Sequence, residues 1–333
     1  MKSGRIGSNQ VRGWRRVQQV ALTADNQTFQ VDLPRGPAIE ESMIIVDGTI
    51  NVSVAFTTVR GLAPSHYLRR VDWRLNGNIT LDALSGVGAY LASGITSRNI
   101  DGLTAPASAG TGAKTIRGIW RLPRIFQDMF RPKDSVLKTD ENVTTNQLVI
   151  QWGQLADFFT GAGTATYTAL TMYVMIRDYQ EEADNKGFTP RPLYYWKRSE
   201  QILAFAATGN NQPFRVNTGN RLRLLLCRFE TAGEGADNII TGARILRSGD
   251  TRMDLPQPVW QEESRLSGFN FIGAMSGFPG IYVADFGNPG MMGARYSECW
   301  PVPSNADVQM LFDVATASTA VRIVTIEGVD LQQ

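Results

Sequence analysis

The sequence predicts an all-β protein, and three observations indicate this. Short runs such as QLVIQW (147–152) and ALTMYVMIRD (169–178) place apolar residues at alternate positions, which is the period of a strand with one buried face. Turn dipeptides such as Asn76-Gly77 separate the runs and favour tight hairpins. Segments with the helical spacing i, i+3, i+4, i+7 are nearly absent, so we expect only short helices in loops.

Strand patterns recur along the whole chain, and glycine-rich turns between them are typical of a sandwich or barrel. Residues 82–95 fit either a short helix or a loop, whereas RLPRIFQDMF (121–130) predicts a helix. The other predicted strands are FQVDL (29–33), MIIVDGTINVSVAF (43–56), RVDWRL (70–75), PFRVN (213–217), RLRLLLCRF (221–229), GARILRSGDTRMDL (242–255), FNFIGAM (269–275), GIYVADF (280–286), VQMLFDV (308–314) and AVRIVTIEGVD (320–330).

The composition limits the classes of protein. A chain of 333 residues with 43% hydrophobic residues can bury a large core, and its length favours two domains. The formal net charge of +2 argues against attraction of the whole molecule to nucleic acid. An excess of 27 Arg over 6 Lys suits protein–protein interfaces, because guanidinium groups form planar bidentate contacts. A GC-rich genome would give the same bias.

Cysteine usage and hydropathy indicate where the chain works. Cys227 and Cys299 do not make a disulfide framework, and we expect both to be reduced. No stretch reaches about 18 apolar residues, and the basic segment 1–20 lacks the apolar part of a secretory signal. We therefore expect the protein to act where it is made, or in a particle assembled there.

Three landmarks recur in the same order and predict a duplicated β-domain. They are NQTFQV (26–31) and NQPFRV (211–216), RLNGNITLD (74–82) and LRSGDTRMD (246–254), and GTATYTALTMYVMIRD (163–178) and ATASTAVRIVTIEGVD (315–330). In the second pair Gly77 matches Gly249, and Asp82 matches Asp254. Insertions in surface loops explain the unequal spacings.

Two all-β units of similar size fit two tandem eight-stranded jelly rolls. The segment between them, residues 179–201, is charged and contains Pro190 and Pro192, which favours a linker. The predicted organisation is a basic N-terminal arm (1–19), jelly roll 1 (20–180), an interdomain linker (181–200) and jelly roll 2 (201–333).

On this duplication and architecture, over residues 20–333, the chain resembles the double jelly-roll major capsid proteins of tailless icosahedral viruses with an internal membrane. Small lipid-containing bacteriophages are the most similar in size. The resemblance implies a structural protein, not an enzyme, without a cofactor, whose pseudo-hexagonal homotrimers tile an icosahedral shell. It also implies location in the virion after synthesis in the host cytoplasm. The implied partners are neighbouring trimers, minor capsid proteins, and penton or spike proteins.

The basic arm fits the inner face of such a shell. The side chains predicted to contact viral membrane lipids or the inner shell are Lys2, Arg5, Arg12, Trp14, Arg15 and Arg16. Each Arg near an anionic lipid surface contributes about 1 kcal/mol. Contact with a neighbouring trimer, contact with nucleic acid, and a Trp14 packed beneath the shell remain open. Deleting residues 2–16 is expected to leave trimers intact and to impair assembly.

A second candidate site is the aromatic cluster of LYYWKR (193–198). Tyr194, Tyr195 and Trp196 are predicted to form an interdomain wedge after the linker, because aromatic residues anchor interfaces. Base or sugar stacking is the alternative function.

The sequence offers little for catalysis. His66 is the only histidine, which favours a structural loop residue over a catalytic one. GTGAKT (110–115) lacks the context of a phosphate-binding loop and indicates a flexible loop. The acid pairs are expected to be solvated loop charges, and EGADN (234–238) is a weak candidate for an interface calcium site, without the spacing of an EF-hand. These pairs are Glu40-Glu41, Glu181-Glu182 and Glu262-Glu263.

Two other classes of function remain open from the sequence. A glycan-binding β-sandwich, such as a viral spike or lectin, would expose aromatic platforms. A β-sandwich glycosidase would bring carboxylates together at strand ends.

Overall fold

The computed structural model describes residues 11–36, 38–97, 102–125, 137–139, 143–180, 194–267, 279–287, 297 and 299–330. Strands dominate these residues, and the helices among them are short. The predicted all-β class, with short helices between strands, is confirmed.

The first half of the chain contains β1 (Val11–Leu22), β2 (Thr28–Asp32), β3 (Ala38–Val54), β4 (Thr58–Val59), α1 (Ala63–Tyr67), β5 (Leu68–Leu75), β6 (Ile79–Leu84), α2 (Gly86–Ser97), β7 (Gly112–Pro123), β8 (Leu137–Lys138), β9 (Asn146–Trp152), a 3₁₀ turn (Leu155–Phe158), β10 (Phe159–Thr160) and β11 (Thr164–Gln180). The second half contains β12 (Tyr194–Phe205), β13 (Gly209–Arg215), β14 (Arg221–Thr231), β15 (Glu234–Gly235), β16 (Ile240–Arg247), β17 (Asp250–Pro256), α3 (Gln257–Ser267), β18 (Ile281–Asp285), β19 (Trp300–Pro301), β20 (Val308–Val314) and β21 (Ser318–Asp330).

The main strands of the first half form a jelly roll, here named roll 1. Along the chain these eight strands are β1, β2, β3, β5, β6, β7, β9 and β11. They make one sheet in the order β1-β11-β3-β7 and a second in the order β2-β9-β5-β6. Numbered from 1 to 8 along the chain, the two orders are 1-8-3-6 and 2-7-4-5. Each of these neighbouring pairs is antiparallel.

The second half repeats this topology and is named roll 2. Its eight strands are β12, β13, β14, β16, β17, β18, β20 and β21. One sheet has the order β12-β21-β14-β18 and the other has the order β13-β20-β16-β17, which again are 1-8-3-6 and 2-7-4-5. The two rolls therefore share one strand order, as the predicted duplication requires.

The sequence landmarks lie on equivalent elements of the two rolls. Phe29 is in β2 and Phe214 is in β13, the second strand of each roll. The Asn76-Gly77 turn has φ of 51° and 73°, and the equivalent turn at residues 248–249 has φ of 52° and 88°. Two central residues with positive φ define the tight turn that matches the twist of a hairpin, and glycine adopts this conformation without steric cost.

A continuous ten-stranded sheet links the rolls, because β6 of roll 1 pairs in parallel with β12 of roll 2. Beyond this junction β14 is buried on both faces. Leu225 and Cys227 pack in the core of roll 2, whereas Leu224 and Leu226 pack in the same cluster as the core of roll 1. Burial on both faces explains why RLRLLLCRF is a nearly continuous apolar run.

Each roll has its own aromatic core. In roll 1, Trp152 lies 5.1 Å from Tyr67 and 5.7 Å from Trp120, measured between ring centroids. In roll 2, Phe312 lies 5.5 Å from Phe229. The seventh strands, β9 and β20, have the same alternation of buried and half-buried residues. That alternation is the feature from which both strands were predicted.

Two boundaries of the predicted organisation are wrong. Residues 11–19 were assigned to a basic arm, but they belong to β1, which extends to Leu22 and pairs along its length with β11. Residues 194–200 were assigned to the linker, but they begin β12. In both places clustered charges and glycine or proline masked the strand pattern, and pairing with an apolar neighbour determines the conformation instead.

Other local predictions also change. The loop predicted at 110–115 and the helix predicted at 121–130 overlap β7, which covers residues 112–123; residues 126–130 lie outside the described part of the chain. Residues 82–95 divide between β6 and α2. Helix α3 was not predicted, although Pro258 in its first turn is typical of a helix start. The strand predicted at 269–275 lies outside the described residues.

Deleting residues 2–16 should destabilise roll 1, because it removes half of the twelve-residue strand β1 and its pairing with β11. Thermal unfolding is the measurement, with a loss of about 2–4 °C expected for each kcal/mol. Deleting residues 2–10 is the matched control, since it leaves β1 complete. Equal melting temperatures for the two deletions would contradict a structural role for β1.

Candidate functional site

The joint between the rolls is centred on Asp82. In the pairing of β6 with β12, Asp82 stands beside Arg198. Arg198 donates from Nε to Oδ1 at 2.7 Å and from Nη2 to Oδ2 at 2.8 Å. Both side chains are fully buried. This bidentate arrangement matches a planar guanidinium to a carboxylate and orients one roll on the other.

A second buried arginine completes the joint. Arg124, which follows β7, donates from Nη2 to Asp82 and from Nη1 to the carbonyl of Trp196 at 2.9 Å. Its guanidinium also lies 4.4 Å from the ring centroid of Trp73. Burial lowers the pKa of Arg124 to about 9, although Asp82 opposes the shift. Arg124 is therefore charged at neutral pH, and the joint holds two cations around one carboxylate.

The three aromatic residues predicted as an interdomain wedge lie next to this joint. Tyr194 and Trp196 are buried, and they belong to the hydrophobic cluster that contains the core of roll 1, although β12 is a strand of roll 2. Their rings meet edge to face at 5.2 Å. Tyr195 points to the other side of the strand, is half-buried, and also packs against this cluster.

A polar network lies next to the joint, farther along β12. Glu200 of β12 accepts hydrogen bonds from the backbone N–H and hydroxyl of Ser85, immediately before α2. The carboxylate of roll 2 thus lies at the positive end of a helix of roll 1. Arg322 of β21 donates to Glu230 at 2.8 Å and to Glu200 at 3.4 Å. This network was not predicted, since its contacts join residues that are 92 to 122 positions apart in the sequence.

The structure describes only some of the residues that were predicted to contact lipids or the inner shell. Lys2 and Arg5 lie outside the described residues, and Arg12 is in β1. Trp14 is 37% exposed, and Arg15 forms an ion pair with Asp178 at 2.5 Å.

Strands β7 and β11 of the same sheet supply cations to the exposed surface around Trp14, here named the N-terminal patch. The guanidinium groups of Arg121 and Arg177 lie 5.7 and 5.3 Å from the ring centroid of Trp14. Arg16 is exposed and donates to Gln19. The patch therefore combines an exposed indole with several arginines on the outer face of one sheet.

The prediction for Glu40 and Glu41 as solvated loop charges is wrong. Both are buried in β3, and Arg177 contacts each of them at 2.9 Å. A register shift between β11 and β3 at this point explains the geometry. Because a bulge breaks the alternation of a strand, two adjacent carboxylates can reach one arginine. Glu262 and Glu263 are exposed, on α3, and residues 181–182 lie outside the described part.

His66 is in α1 and is only slightly exposed. Burial, together with the nearby Arg228, Arg322 and Arg60, lowers its pKa to about 3, while a backbone hydrogen bond with Gly61 opposes the shift. The ring is therefore neutral at physiological pH. A single neutral histidine in this cationic setting agrees with a structural role.

The carboxylates of the proposed calcium loop bind backbone groups instead. Glu234 accepts from the N–H of Gly61 at 2.9 Å, and Asp237 accepts from Gly280 at 2.6 Å. Within the described ranges, no cluster of three metal-ligating side chains occurs. Cys227 and Cys299 are both buried, and no disulfide joins them. No helix in these ranges has the length and hydrophobicity that a bilayer span requires.

Comparison with solved structures finds a similar fold in several viral proteins. The chain is similar to the major capsid protein of Sulfolobus Turreted Icosahedral Virus, with a TM-score of 0.71, 15% identity, and 96% of this chain and 97% of that chain covered. It is similar to the major capsid protein P2 of bacteriophage PM2, with a TM-score of 0.64, 13% identity and coverage of 96% and 98%. It is also similar to PBCV-1 VP54, with a TM-score of 0.62, 12% identity, and 97% of this chain and 94% of that chain covered.

These likenesses extend over nearly the whole chain and therefore over both rolls. No protein-family model matches the sequence, and no curated protein sequence is similar to it. The identities are low, so the likeness lies in the fold: two jelly rolls in tandem, as the sequence predicted.

Substituting Asp82→Asn should lower the free energy of unfolding by about 3–5 kcal/mol, because it removes the negative charge that two buried guanidinium groups contact. Asp254→Asn is the matched control. Asp254 is in the equivalent strand of roll 2 but is exposed, so a change within about 0.5 kcal/mol is expected. Denaturant unfolding measures both. Equal effects of the two substitutions would contradict the role of Asp82.

His66 should make the protein less stable as pH falls. Its pKa is 6.5 in the unfolded chain and about 3 in the folded one, so between these values the unfolded chain binds one more proton. Stability should fall by about 1.4 kcal/mol per pH unit from this group. His66→Gln should therefore show a shallower decline between pH 6.5 and pH 4 in denaturant titrations. Parallel profiles for the two proteins would show that His66 does not contribute.

Proposed function

We propose that the chain is a structural major capsid protein whose pseudo-hexagonal homotrimers tile an icosahedral virus shell over an internal membrane. One observation carries this proposal: two rolls of identical strand order are fixed side by side by the β6–β12 pairing and the buried Asp82 joint. Solved proteins of the same fold are named as viral major capsid proteins.

The duplication gives a physical reason for a shell protein. Two equivalent rolls in one rigid protomer supply two similar outer edges, and three such protomers related by cyclic symmetry supply six. A nearly hexagonal outline then allows trimers to pack in a flat lattice. The wedge of Tyr194, Tyr195 and Trp196 would contribute by holding the angle between the rolls, since Tyr194 and Trp196 are buried against roll 1.

The N-terminal patch is proposed to face the inside of the shell and to contact anionic lipid headgroups. Lys2, Arg5 and Arg12 supply charge, while Trp14 and Arg16 are exposed on β1. An indole beside guanidinium groups suits the interfacial region of a membrane. Other proposed partners are neighbouring trimers, minor capsid proteins and penton or spike proteins, with synthesis in the host cytoplasm and residence in the virion.

Size exclusion with light scattering, followed by negative-stain imaging, tests the shell function. A mass of three protomers and a hexagonal outline are expected. A stable monomer that binds glycans or hydrolyses them would contradict the proposal and favour the other β-sandwich functions. For the lipid contact, the variant lacking residues 2–10 should form trimers but float poorly with anionic vesicles. Equal flotation of the full chain and this variant would exclude the missing residues as the contact.

A further inference from the structure

A cavity of about 280 Å³ lies between the two rolls, beside the joint. Roll 1 supplies Arg60, Ser65, His66 and Arg69 to its wall, and roll 2 supplies Arg322 from β21. The wall also contains Ser85, Asp157, Ile202 and Gly233. Its side toward solvent includes the exposed residues Arg69 and Ile202. The cavity is therefore an open pocket of composite origin rather than a packing defect within one core.

The wall is cationic. Three arginines and one carboxylate line the cavity, and that carboxylate, Asp157, already binds Arg69 through two hydrogen bonds of 2.7 and 3.0 Å. Arg322 forms ion pairs with Glu200 through Nη1 and with Glu230 through Nε, which leaves its Nη2 group to donate to a ligand. Arg60 differs from both, because its Nε donates to the carbonyl of Phe159 at 2.8 Å and it has no ion pair with any residue that the structure describes. The charge of Arg60 thus remains available to a ligand.

The backbone opposite Arg60 leaves room for its guanidinium. Gly233 has φ of +86°, and a Cβ at this position would lie 2.4 Å from Arg60 Nη1. Glycine therefore meets two requirements, a left-handed conformation and close approach of a cation from the other roll. Glu234, the next residue, binds the backbone of Gly61, which holds the two segments together.

Two polar groups of the wall lack partners. Ser65 Oγ and His66 Nε2 are buried and have no hydrogen bond with described residues. Each belongs to a residue that lines the cavity, so a rotation of the side chain would bring it to a ligand. A buried polar group without a partner costs free energy, and a ligand that supplied one would recover it. Burial is the largest cause of the low pKa of His66, and the charges of Arg228, Arg322 and Arg60 lower it further.

We propose that this cavity binds a small phosphate group, as inorganic phosphate or a phosphate monoester, which Arg60 and Arg322 hold across the two rolls with the hydroxyl of Ser65. Guanidinium groups match tetrahedral oxyanions through paired N–H donors. The ligand would add a bridge between roll 1 and roll 2 that is independent of the Asp82 joint. The open side, near Ile202, leaves space for the substituent of a monoester.

Binding is measured on the full chain by equilibrium dialysis with labelled inorganic phosphate, and by the melting temperature at constant ionic strength. Saturable binding and a rise in melting temperature are expected with phosphate and not with chloride. Glycerol 3-phosphate should bind, whereas dimethyl phosphate, a diester with one negative charge, should bind at least tenfold more weakly. Equal binding of the diester would instead point to lipid or nucleic-acid backbones and would overturn the proposed ligand class.

Variants connect this binding to the cavity. Arg60→Gln and Ser65→Ala should each weaken phosphate binding, about tenfold for the charge-bearing Arg60. Arg252→Gln is the control, because Arg252 is an exposed arginine of β17 and is not part of this wall. Ser65→Ala removes a single oxygen and keeps the proposal testable if Arg60→Gln fails to fold. Unchanged affinity in a folded Arg60→Gln variant, or no binding by the native chain, would overturn the proposal.

A second test of phosphate binding uses the only histidine of the chain. Phosphate bound beside His66 should raise the pKa of that imidazole, because a nearby anion favours the charged ring. The titration of the single histidine resonance, with and without phosphate, measures the shift. An adventitious ion elsewhere on the surface would leave this titration unchanged, and that result would contradict binding in the cavity.

Discussion

The buried contact of Asp82 with Arg198 and Arg124 is the interaction on which the relation between the two rolls depends. A carboxylate removed from water is stable only when its counterions are held in good geometry. Here those counterions come from strand β12 of roll 2 and from the end of β7 in roll 1. The requirement to satisfy one charge therefore fixes the register of β6 beside β12, and through it the continuity of the ten-stranded sheet.

The consequences of this contact extend into the packing. Because the sheets are continuous, β14, β18 and β21 have no free face: one side packs in the core of roll 2 and the other in the cluster of roll 1. A duplicated domain usually keeps two separate surfaces with a mobile connection. In this protein the interface is part of the core, so the two rolls pack as one unit.

The sequence-based predictions agree with the structure for features that depend on residues close together in the chain. Alternation predicted β9 and β20, because a strand with one buried face has apolar residues at every second position. The Asn76-Gly77 dipeptide predicted its hairpin, because these residue types favour the positive φ of a tight turn. Prediction was wrong for β1, β7 and the start of β12. Strands β1 and β7 contain several arginines and glycines, and the start of β12 contains Lys197 and Arg198. Pairing with an apolar neighbour outweighs these local preferences.

The candidate site divides in the same way. The sequence by itself determined the all-β class and the order of the repeated landmarks, and the large aromatic side chains of Tyr194 and Trp196 marked them as candidates for an interface. Only the tertiary structure decided that Asp82 meets Arg198, that Glu40 and Glu41 are buried on one arginine, and that Arg60 and Arg322 line one cavity. The reason is that the partners of a charged side chain can lie far along the chain: Arg124 is 42 residues from Asp82, and Arg198 is 116 residues from it. No local sequence pattern indicates which distant arginine will form an ion pair with a given carboxylate.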